Sequence, residues 1–394
     1  MNRNFSFYFF SSGLSFLGAN VFNYSVVLLA QKYSGNFTHS GFVYLALNLP
    51  FLFLSVIAGI ALDTFSRRKI IFFSQILLSL ASLSVSYLLA YGIIRLENIQ
   101  FLFVSVILFG VGMSFIMPGR LAYLGNLVTK ETIAKSAQLI NILMLVTYGV
   151  APILSGYFIH HYSYTAVFYF AAILIFCSFT ILLFLPEGNF HKHQSDAGFS
   201  EIQPFLQKHK IILEFLFFCV VMMIGLGPIQ IIYPEFCKTV LGLNDQQKGI
   251  LIGLQGVGLL FGGLTILRFP NVKSGKSLVL SVLISSILFC ILSVQSHLIL
   301  SGILILLISY FFGIASTLLP SFLQRETDNY IRGRIMSIFS LLFLFTPALS
   351  GIACSFLLQR FGSTLSIYFV GVLVFCLSVY SVFFLKRCYR YKLN

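Results

Sequence analysis

Apolar stretches of about 20 residues dominate the chain, and short polar segments separate them. A helical run of that length matches the thickness of the bilayer core, because a helix rises about 1.5 Å per residue. Only 9% of the residues are charged and 58% are hydrophobic, whereas about 25% of a soluble domain is charged. The alternation that a membrane β-barrel needs is absent. The sequence therefore predicts an all-α polytopic membrane protein and excludes a soluble enzyme.

The apolar runs predict twelve transmembrane helices in two six-helix halves. The longest polar segment falls between the sixth and seventh spans. It divides the chain into an N-terminal half (1–186), a cytoplasmic linker (187–209) and a C-terminal half (210–394). The predicted spans are 5–30, 40–62, 70–94, 99–119, 133–159, 163–185, 210–234, 247–267, 277–296, 298–322, 334–358 and 363–385.

The distribution of positive charge predicts the orientation. The chain has 25 Lys and Arg residues and a formal net charge of +14. With the N-terminus inside, 20 of these 25 residues fall on cytoplasmic segments, as the positive-inside rule requires. Both termini are then cytoplasmic. We expect no basic residue deep in a span, and we assign Arg120 to the loop after span 4 and Lys248 to an external loop. The charge excess is interpreted as a topology signal, so no nucleic-acid partner is expected.

The two halves share a short pattern. Pro-x-x-Ser-Gly occurs at 152–156 and again at 347–351, in the fifth span of each half. Chance recurrence in Gly- and Ser-rich helices is the alternative explanation. Matching positions in two six-helix halves indicate a transporter that is built from parallel repeats.

A glycine, an acid and a basic cluster follow one another at the end of span 2: Gly59, Asp63, Arg67 and Arg68. Gly59 would permit close helix approach. Asp63 is within pairing reach of Arg67 if the helix continues, and it is also placed to face a helix N-terminus in the other half. Stop-transfer charge would explain the arginines but not the acid. We interpret the group as a cytoplasmic gate.

Here the sequence resembles the major facilitator superfamily, whose loop after span 2 carries Gly-x-x-x-Asp-Arg-x-Gly-Arg-Arg-Arg/Lys. The chain departs from that pattern at Thr64 and Ser66. Stretches beginning at Leu49, Pro118 and Gln324 resemble the macrolide-efflux and enterobactin-exporter branch. The resemblance implies alternating access by two six-helix halves. It also implies a proton gradient as the energy source, with no bound cofactor or metal.

Span 5 carries Gly149, Pro152 and Gly156. Pro152 frees a backbone carbonyl and lets the helix bend. The two glycines are seven residues apart, lie on one face and permit tight packing. The stretch resembles a degenerate form of the Gly- and Pro-rich motif associated with antiporters. Ordinary packing of a Gly/Pro helix is the alternative.

Proton coupling in carriers generally requires a carboxylate inside the membrane. Of the 11 acidic residues, Glu214 alone lies clearly inside a span, about one turn into span 7. Glu235 lies at the outer end of the same span. These two residues are the predicted coupling sites, and two solvated interfacial acids are the alternative.

Polar side chains in otherwise apolar spans predict the substrate cavity. Asn20, Asn23 and Tyr24 share one broad face of span 1, because they are three and four residues apart. Each candidate has an interhelical hydrogen bond as its alternative role. The full set is Asn20, Asn23, Tyr24, Gln138, Asn141, Gln230 and Gln255. The set describes a neutral cavity, and the expected absence of mid-span Arg or Lys argues against a fixed anion clamp.

These features predict a secondary transporter of the bacterial cytoplasmic membrane that exports an amphipathic small molecule. The candidate substrates are a siderophore and a macrolide-like drug. A lysophospholipid flippase and a nutrient importer of the same fold are alternatives. The partners are then a small-molecule substrate and the lipid bilayer, and an outer-membrane channel is left open. No phosphate-binding P-loop pattern occurs, which excludes direct ATP hydrolysis by a P-loop.

Overall fold

The computed structural model describes residues 3–94, 98–129, 132–187, 202–269, 274–327 and 329–391, and their regular structure is helical. Asp63, Lys135 and a few other helical residues have side chains outside this description. The helices are α1 (Arg3–Ser34), α2 (Phe37–Thr64), α3 (Arg67–Ala90), α4 (Gln100–Leu124), α5 (Ile133–His161), α6 (Tyr164–Leu182), α7 (Ile202–Lys208), α8 (Lys210–Leu226), α9 (Ile229–Thr239), α10 (Asp245–Arg268), α11 (Gly275–Ser293), α12 (Leu298–Glu326), α13 (Asn329–Phe384) and α14 (Lys386–Arg390).

Short polar connections begin several of these helices. Asn36 precedes α2, and its Oδ1 accepts a hydrogen bond from the backbone N–H of Thr38 at 2.9 Å. Ser163 caps α6 in the same way through the N–H of Ala166. Ser274 caps α11. These side chains satisfy N–H groups that have no partner within the helix, so the helix starts follow from local sequence.

Among the described residues, eleven segments are long and apolar enough to cross a membrane. The last of them, Arg334–Phe384, contains both final predicted spans, and its helix is interrupted only at Gly362, with φ 76°. Positive φ suits glycine because it has no Cβ. The predicted seventh span corresponds to α8 and α9, which meet at Gly227 and Pro228. The prediction of an all-α membrane protein of twelve spans is confirmed.

The chain forms two compact units. Unit 1 comprises Met1–Gln194 with Leu243–Gly253, and unit 2 comprises Ser195–Gly242 with Leu254–Asn394. The beginning of α10 therefore belongs to unit 1 and the rest of it to unit 2. Of the predicted linker, 187–209, residues 188–201 lie outside the described part of the chain.

Serine hydroxyls and phenyl rings join the helices of unit 1. Ser82 and Ser86 of α3 donate to backbone carbonyls of α6, at 2.8 and 3.1 Å. Near the centre, the rings of Phe22 and Phe109 stack 3.8 Å apart, and Phe168 meets Phe22 edge-on. Inside a membrane, where water is scarce, these hydrogen bonds connect α3 to α6. The aromatic rings fill the space between α1, α4 and α6.

In unit 2, α10 and α12 approach with almost no side chain between them. A Cβ added at Gly258 would meet the backbone of Leu306, and one added at Gly262 would meet the backbone of Tyr310. Gly313 of α12 is restricted in the same way by Leu259. Small residues permit such close backbone contact, which is a main source of helix association in membranes.

Candidate functional site

Unit 1 contains a buried cation, Arg120. α4 continues past Pro118 as far as Leu124, so Arg120 lies inside the helix and is only 1% exposed. The assignment of Arg120 to the loop after span 4 is therefore wrong, because the helix continues through this position. Pro118 removes one backbone hydrogen bond but does not end the helix, because neighbouring helices can hold a proline-containing turn in place.

Neutral oxygen atoms from α1 and α6 surround the Arg120 guanidinium. Nη1 donates to Ser12 Oγ at 2.6 Å, and Nη2 donates to Ser178 Oγ at 3.1 Å and to the Ser11 carbonyl at 3.3 Å. Tyr8 donates its hydroxyl hydrogen to the Arg120 carbonyl at 2.6 Å. Within the described ranges no carboxylate lies at ion-pair distance from Arg120. The guanidinium therefore joins three helices, and no described carboxylate balances its charge.

Gln75 of α3 extends this group. Its Nε2 donates to Ser178 Oγ at 2.8 Å. The Nε of Arg120 and the Oε1 of Gln75 are both buried and have no hydrogen-bond partner among the described residues. Sequence reasoning missed Arg120, Gln75 and the serines. Hydroxyl-bearing residues recurring on predicted spans were the available signal, since these residues form hydrogen bonds between membrane helices.

The predicted polar face of α1 contacts α5. Asn20 Nδ2 donates to Thr147 Oγ1 at 3.3 Å, and Thr147 donates in turn to the Met144 carbonyl at 2.9 Å. Asn23 is partly buried, and its Oδ1 has no partner among the described residues. Tyr24 is 4% exposed. The structure therefore brings one amide of α1, that of Asn20, next to a hydroxyl of α5.

The other predicted cavity residues are distributed between the two units. Gln138 and Asn141 are exposed on α5 of unit 1. Gln230 is a partly buried residue of α9 in unit 2. Gln255, also in unit 2, is 3% exposed, and its Nε2 has no partner in the described part of the chain. Gln255 is thus a buried donor of the kind that a substrate site uses.

The predicted gate arginines bind the ends of two neighbouring helices. Arg67 Nη1 donates to the Ala122 carbonyl and to Asn126 Oδ1, both at 2.9 Å. Arg68 donates to the carbonyls of Leu185 and Leu183, at 2.6 and 2.9 Å. The last carbonyls of a helix have no partner within the helix and carry partial negative charge, so guanidinium groups stabilise them. The two arginines thus hold α4 and α6 against the start of α3.

No contacts with other helices are described for the other two predicted gate residues, Gly59 and Asp63. Gly59 is exposed, and no described atom lies within 4 Å of a Cβ added there. Among the described residues, the structure therefore shows no close helix approach at Gly59. Asp63 lies in α2, but its side chain is outside the described part of the chain.

The antiporter-like residues of α5 contact the beginning of α10. A Cβ added at Gly156 would meet the Asp245 carbonyl, and one added at Gly249 would meet the Pro152 carbonyl. A Cβ added at Gly253 would lie 2.9 Å from the Gly149 carbonyl oxygen. We call this contact the α5–α10 seam. It depends on glycines of both helices, and α10's share, Gly249 and Gly253, was not predicted.

Lys248 lies at the edge of the seam and was assigned to an external loop. The structure places it in the first turn of α10, where it is 8% exposed. Its Nζ lies 2.5 Å from Asp245 Oδ1. Lys248 therefore belongs to the first turn of a helix, and the acid one turn earlier compensates its charge.

The repeated Pro-x-x-Ser-Gly pattern has the same packing role in unit 2. A Cβ added at Gly227 would meet the Pro347 carbonyl of α13. In both units, therefore, the carbonyl of the pattern's proline lies against a glycine of another helix. This shared environment supports a common structural origin for the two patterns.

The two predicted coupling acids differ in their surroundings. Glu214 Oε2 accepts a hydrogen bond from the backbone N–H of Cys388 at 2.7 Å. Glu214 therefore contacts α14 near the end of the chain. Glu235 is a partly buried residue of α9. The described residues contain no group of three or more His, Cys, Asp or Glu side chains placed to hold a metal ion.

Apolar helices long enough to span a membrane, in two units and with amides and hydroxyls inside them, define a multi-pass membrane protein. The family described as Major Facilitator Superfamily matches residues 8–345. The chain therefore belongs to the Major Facilitator Superfamily.

Similar proteins agree with this family. Multidrug resistance protein 2 of Bacillus subtilis (strain 168) is 25% identical over 333 residues, which are 79% of each chain. The solved D-xylose-proton symporter superposes with a TM-score of 0.77 at 15% identity, over 95% of this chain and 97% of its own. A bacterial homologue of the human lysosomal transporter Spinster, inward-facing and unoccupied, gives 0.78 at 12% identity over 100% of both chains. The two structures show the fold alone.

Proposed function

We propose that this transporter exports an amphipathic small molecule from the bacterial cytoplasm, driven by the proton gradient. The observation that carries the proposal is the neutral polar contact between α1 and α5, where Asn20 meets Thr147 and the Asn23 Oδ1 has no partner among the described residues. The one cation buried in the described part of α4, Arg120, has both terminal nitrogens bound to protein oxygens. Amides and hydroxyls suit substrates with large apolar surfaces and few charges.

The α5–α10 seam supports export. Its residues Gly149, Pro152 and Gly156 make the close contacts expected of an antiporter-like helix. The relative from Bacillus subtilis bears the name Multidrug resistance protein 2. We propose that both termini are cytoplasmic, in the cytoplasmic membrane. Two more specific versions of this proposal are that the substrate is a siderophore and that the protein works with a channel in an outer membrane.

Transport into inverted membrane vesicles tests this function. With an imposed pH gradient, vesicles containing the protein should accumulate erythromycin or ethidium faster than vesicles without it. Collapse of the gradient should abolish the difference. Movement in the opposite direction would indicate an importer, and movement of lysophosphatidylethanolamine alone would indicate a flippase; either result would refute drug export.

A second measurement separates siderophores from drugs. Spent medium and cell extracts of strains with and without the gene are compared by mass spectrometry under iron limitation. If deletion of the gene removes an iron-chelating metabolite from the medium and the metabolite accumulates inside the cells, the protein is a siderophore exporter. An unchanged chelator profile eliminates that substrate and leaves drug efflux.

Two substitutions at Glu214 separate proton coupling from the contact with α14. Glu214→Gln keeps an acceptor oxygen for the Cys388 N–H but cannot bind and release a proton, whereas Glu214→Ala loses both. If Glu214 couples transport, Glu214→Gln should abolish pH-driven uptake into vesicles. Maleimide labelling of Cys388, in a background whose other six cysteines are serine, should stay slow in Glu214→Gln and accelerate in Glu214→Ala.

Glu235→Gln is the matched control, since it removes the other candidate acid. Full transport by Glu214→Gln would exclude Glu214 as the coupling site, and loss of transport in Glu235→Gln alone would transfer the role to Glu235. If transport is lost while Cys388 is labelled rapidly in both Glu214 variants, the loss reflects the α14 contact instead of proton coupling.

A further inference from the structure

The last described helix, α14, carries a compact cationic face. It has five residues, and Lys386, Arg387 and Arg390 are all exposed. At about 100° per residue, these three positions lie within an arc of about 100°. Cys388 lies on the opposite side and is fully buried. The helix therefore has one buried side and one side made of three positive charges.

Contacts with unit 2 hold the buried side in place. The backbone N–H of Cys388 donates to Glu214 Oε2 at 2.7 Å. The Tyr391 carbonyl accepts from the backbone N–H of Gly275 at 2.8 Å, and the Tyr391 hydroxyl donates to Glu326 Oε1 at 2.7 Å. A Cβ at Gly275 would collide with the Cys388 carbonyl. Because a helix of five residues has little stability of its own, these contacts determine where its charges point.

The aromatic surroundings reinforce this attachment. The Tyr391 ring lies 5.3 Å from that of Phe215 and 4.9 Å from that of Phe322, edge-on to the first. Aromatic pairs at these distances are attractive beyond their burial. These contacts hold α14, and with it the three cations, in one position on unit 2.

The position of α14 in the chain places this face at a membrane surface. The membrane-spanning segment Arg334–Phe384 ends two residues before Lys386. Phe383 and Phe384, its last residues, are 65% and 67% exposed. The apolar surface of the span therefore continues to its last residues, and the three cations follow directly where the apolar segment ends, at the boundary between lipid and water.

The neighbouring acids do not neutralise the face. Glu214 and Glu326 accept hydrogen bonds from Cys388 and Tyr391. None of the three cations forms an ion pair with a described residue. We propose that Lys386, Arg387 and Arg390 form a binding site for the headgroup phosphates of anionic phospholipids, with unit 2 holding α14 in the orientation that binds them. Guanidinium groups suit this ligand because they can form paired hydrogen bonds with phosphate oxygens.

Lipid titration of the full-length protein in detergent, followed by native mass spectrometry, tests the site. The probes are dioleoyl-phosphatidylglycerol and dioleoyl-phosphatidylcholine, which share their acyl chains and differ in net charge. The variant changes Lys386, Arg387 and Arg390 to Gln. The control variant changes Lys208, Lys210 and Arg268 to Gln, which removes the same charge at other exposed positions.

We expect the dissociation constant of the tightest phosphatidylglycerol site to rise about fivefold per charge removed, and hence roughly a hundredfold in the α14 variant. The control variant should change it less than twofold, and neither variant should change phosphatidylcholine binding. Equal losses in both variants, unchanged phosphatidylglycerol affinity, or a parallel loss of phosphatidylcholine would overturn the proposal. If the triple variant melts earlier than the wild-type protein, the single variant Arg387→Gln decides the outcome, with an expected loss of about fivefold.

Discussion

Arg120 is held by Ser11, Ser12 and Ser178 without any described carboxylate nearby. Taking a guanidinium out of water is expensive, and the compensation here comes from hydroxyl and carbonyl dipoles of two other helices. The arginine can make five hydrogen bonds in a planar fork, which a lysine cannot reproduce. At this position one side chain forms hydrogen bonds that connect α4 to both α1 and α6.

Replacement of Arg120 by alanine should destabilise unit 1 by about 2–4 kcal/mol, through lost charge-assisted hydrogen bonds and a cavity. Thermal unfolding of the purified protein in detergent measures the effect. Arg268→Ala, at an exposed arginine, should stay within about 0.5 kcal/mol of wild type. Arg120→Met keeps most of the volume; if it unfolds like wild type, the hydrogen bonds contribute nothing and the interpretation fails.

Tyr391 predicts a pH effect. Burial raises the pKa of its hydroxyl above the ordinary value of about 10, and the hydrogen bond to Glu326 raises it further. Since the folded state favours the protonated hydroxyl, this stabilisation is present below about pH 10 and is lost as the pH rises above it. The melting-temperature advantage of wild type over Tyr391→Phe should therefore be present at pH 8 and smaller at pH 10.5. An advantage that is constant between these two pH values would contradict this assignment.

At the scale of helices, glycines decide which pairs come close. In the α5–α10 seam, Gly249 faces the Pro152 carbonyl, and Gly156 faces the Asp245 carbonyl. Helices in lipid gain little from apolar burial against each other, so backbone proximity contributes much of their association. Gly59, in contrast, has open space beside it in the described structure.

Alanine at these two glycines should therefore have opposite effects on stability. Gly249→Ala should destabilise the protein by about 1–3 kcal/mol, because the added methyl group overpacks the seam. Gly59→Ala should stabilise it by about 0.5–1 kcal/mol, the usual gain from alanine inside a helix. Melting temperatures measure both. A Gly59→Ala protein that melts higher but does not transport would show that the glycine is needed in another conformation; a lower melting temperature would contradict the open environment.

At the scale of the whole molecule, the same Pro-x-x-Ser-Gly pattern occurs once in each half of the chain. Both Pro-x-x-Ser-Gly patterns place their proline carbonyl against a glycine, Gly249 in unit 1 and Gly227 in unit 2. Such repetition is expected where a transporter fold is built from two related bundles.

Reporter fusions test the proposed orientation. Green fluorescent protein fused to the C-terminus should fluoresce and alkaline phosphatase fused there should be inactive, because the proposed orientation places both termini in the cytoplasm. Phosphatase fused after Gly35, in the first predicted external loop, should be active. The reverse pattern would invert the topology and, with it, the proposed cytoplasmic gate.

The sequence alone determined the class of the protein, its twelve spans and its family, because hydropathy, span length and the residues from Gly59 to Arg68 are local properties of the chain. It predicted that Asn20, Asn23 and Tyr24 share one face of α1, and the structure shows that Asn20 of this face contacts α5. Helical periodicity is sufficient to predict which residues share a face. It is not sufficient to predict which helix that face will contact.

Only the tertiary structure decided the roles of Arg120, Gly249 and α14. Arg120 looked like a loop cation because hydropathy does not register hydroxyls and carbonyls contributed by α1 and α6, more than 50 residues away in the chain. Gly249 became informative only once Pro152 was found beside it. Likewise, Glu214 lies 174 residues before the N–H that it binds. Compensation of charge and closeness of backbones depend on partners that folding brings together, and a single sequence does not identify those partners.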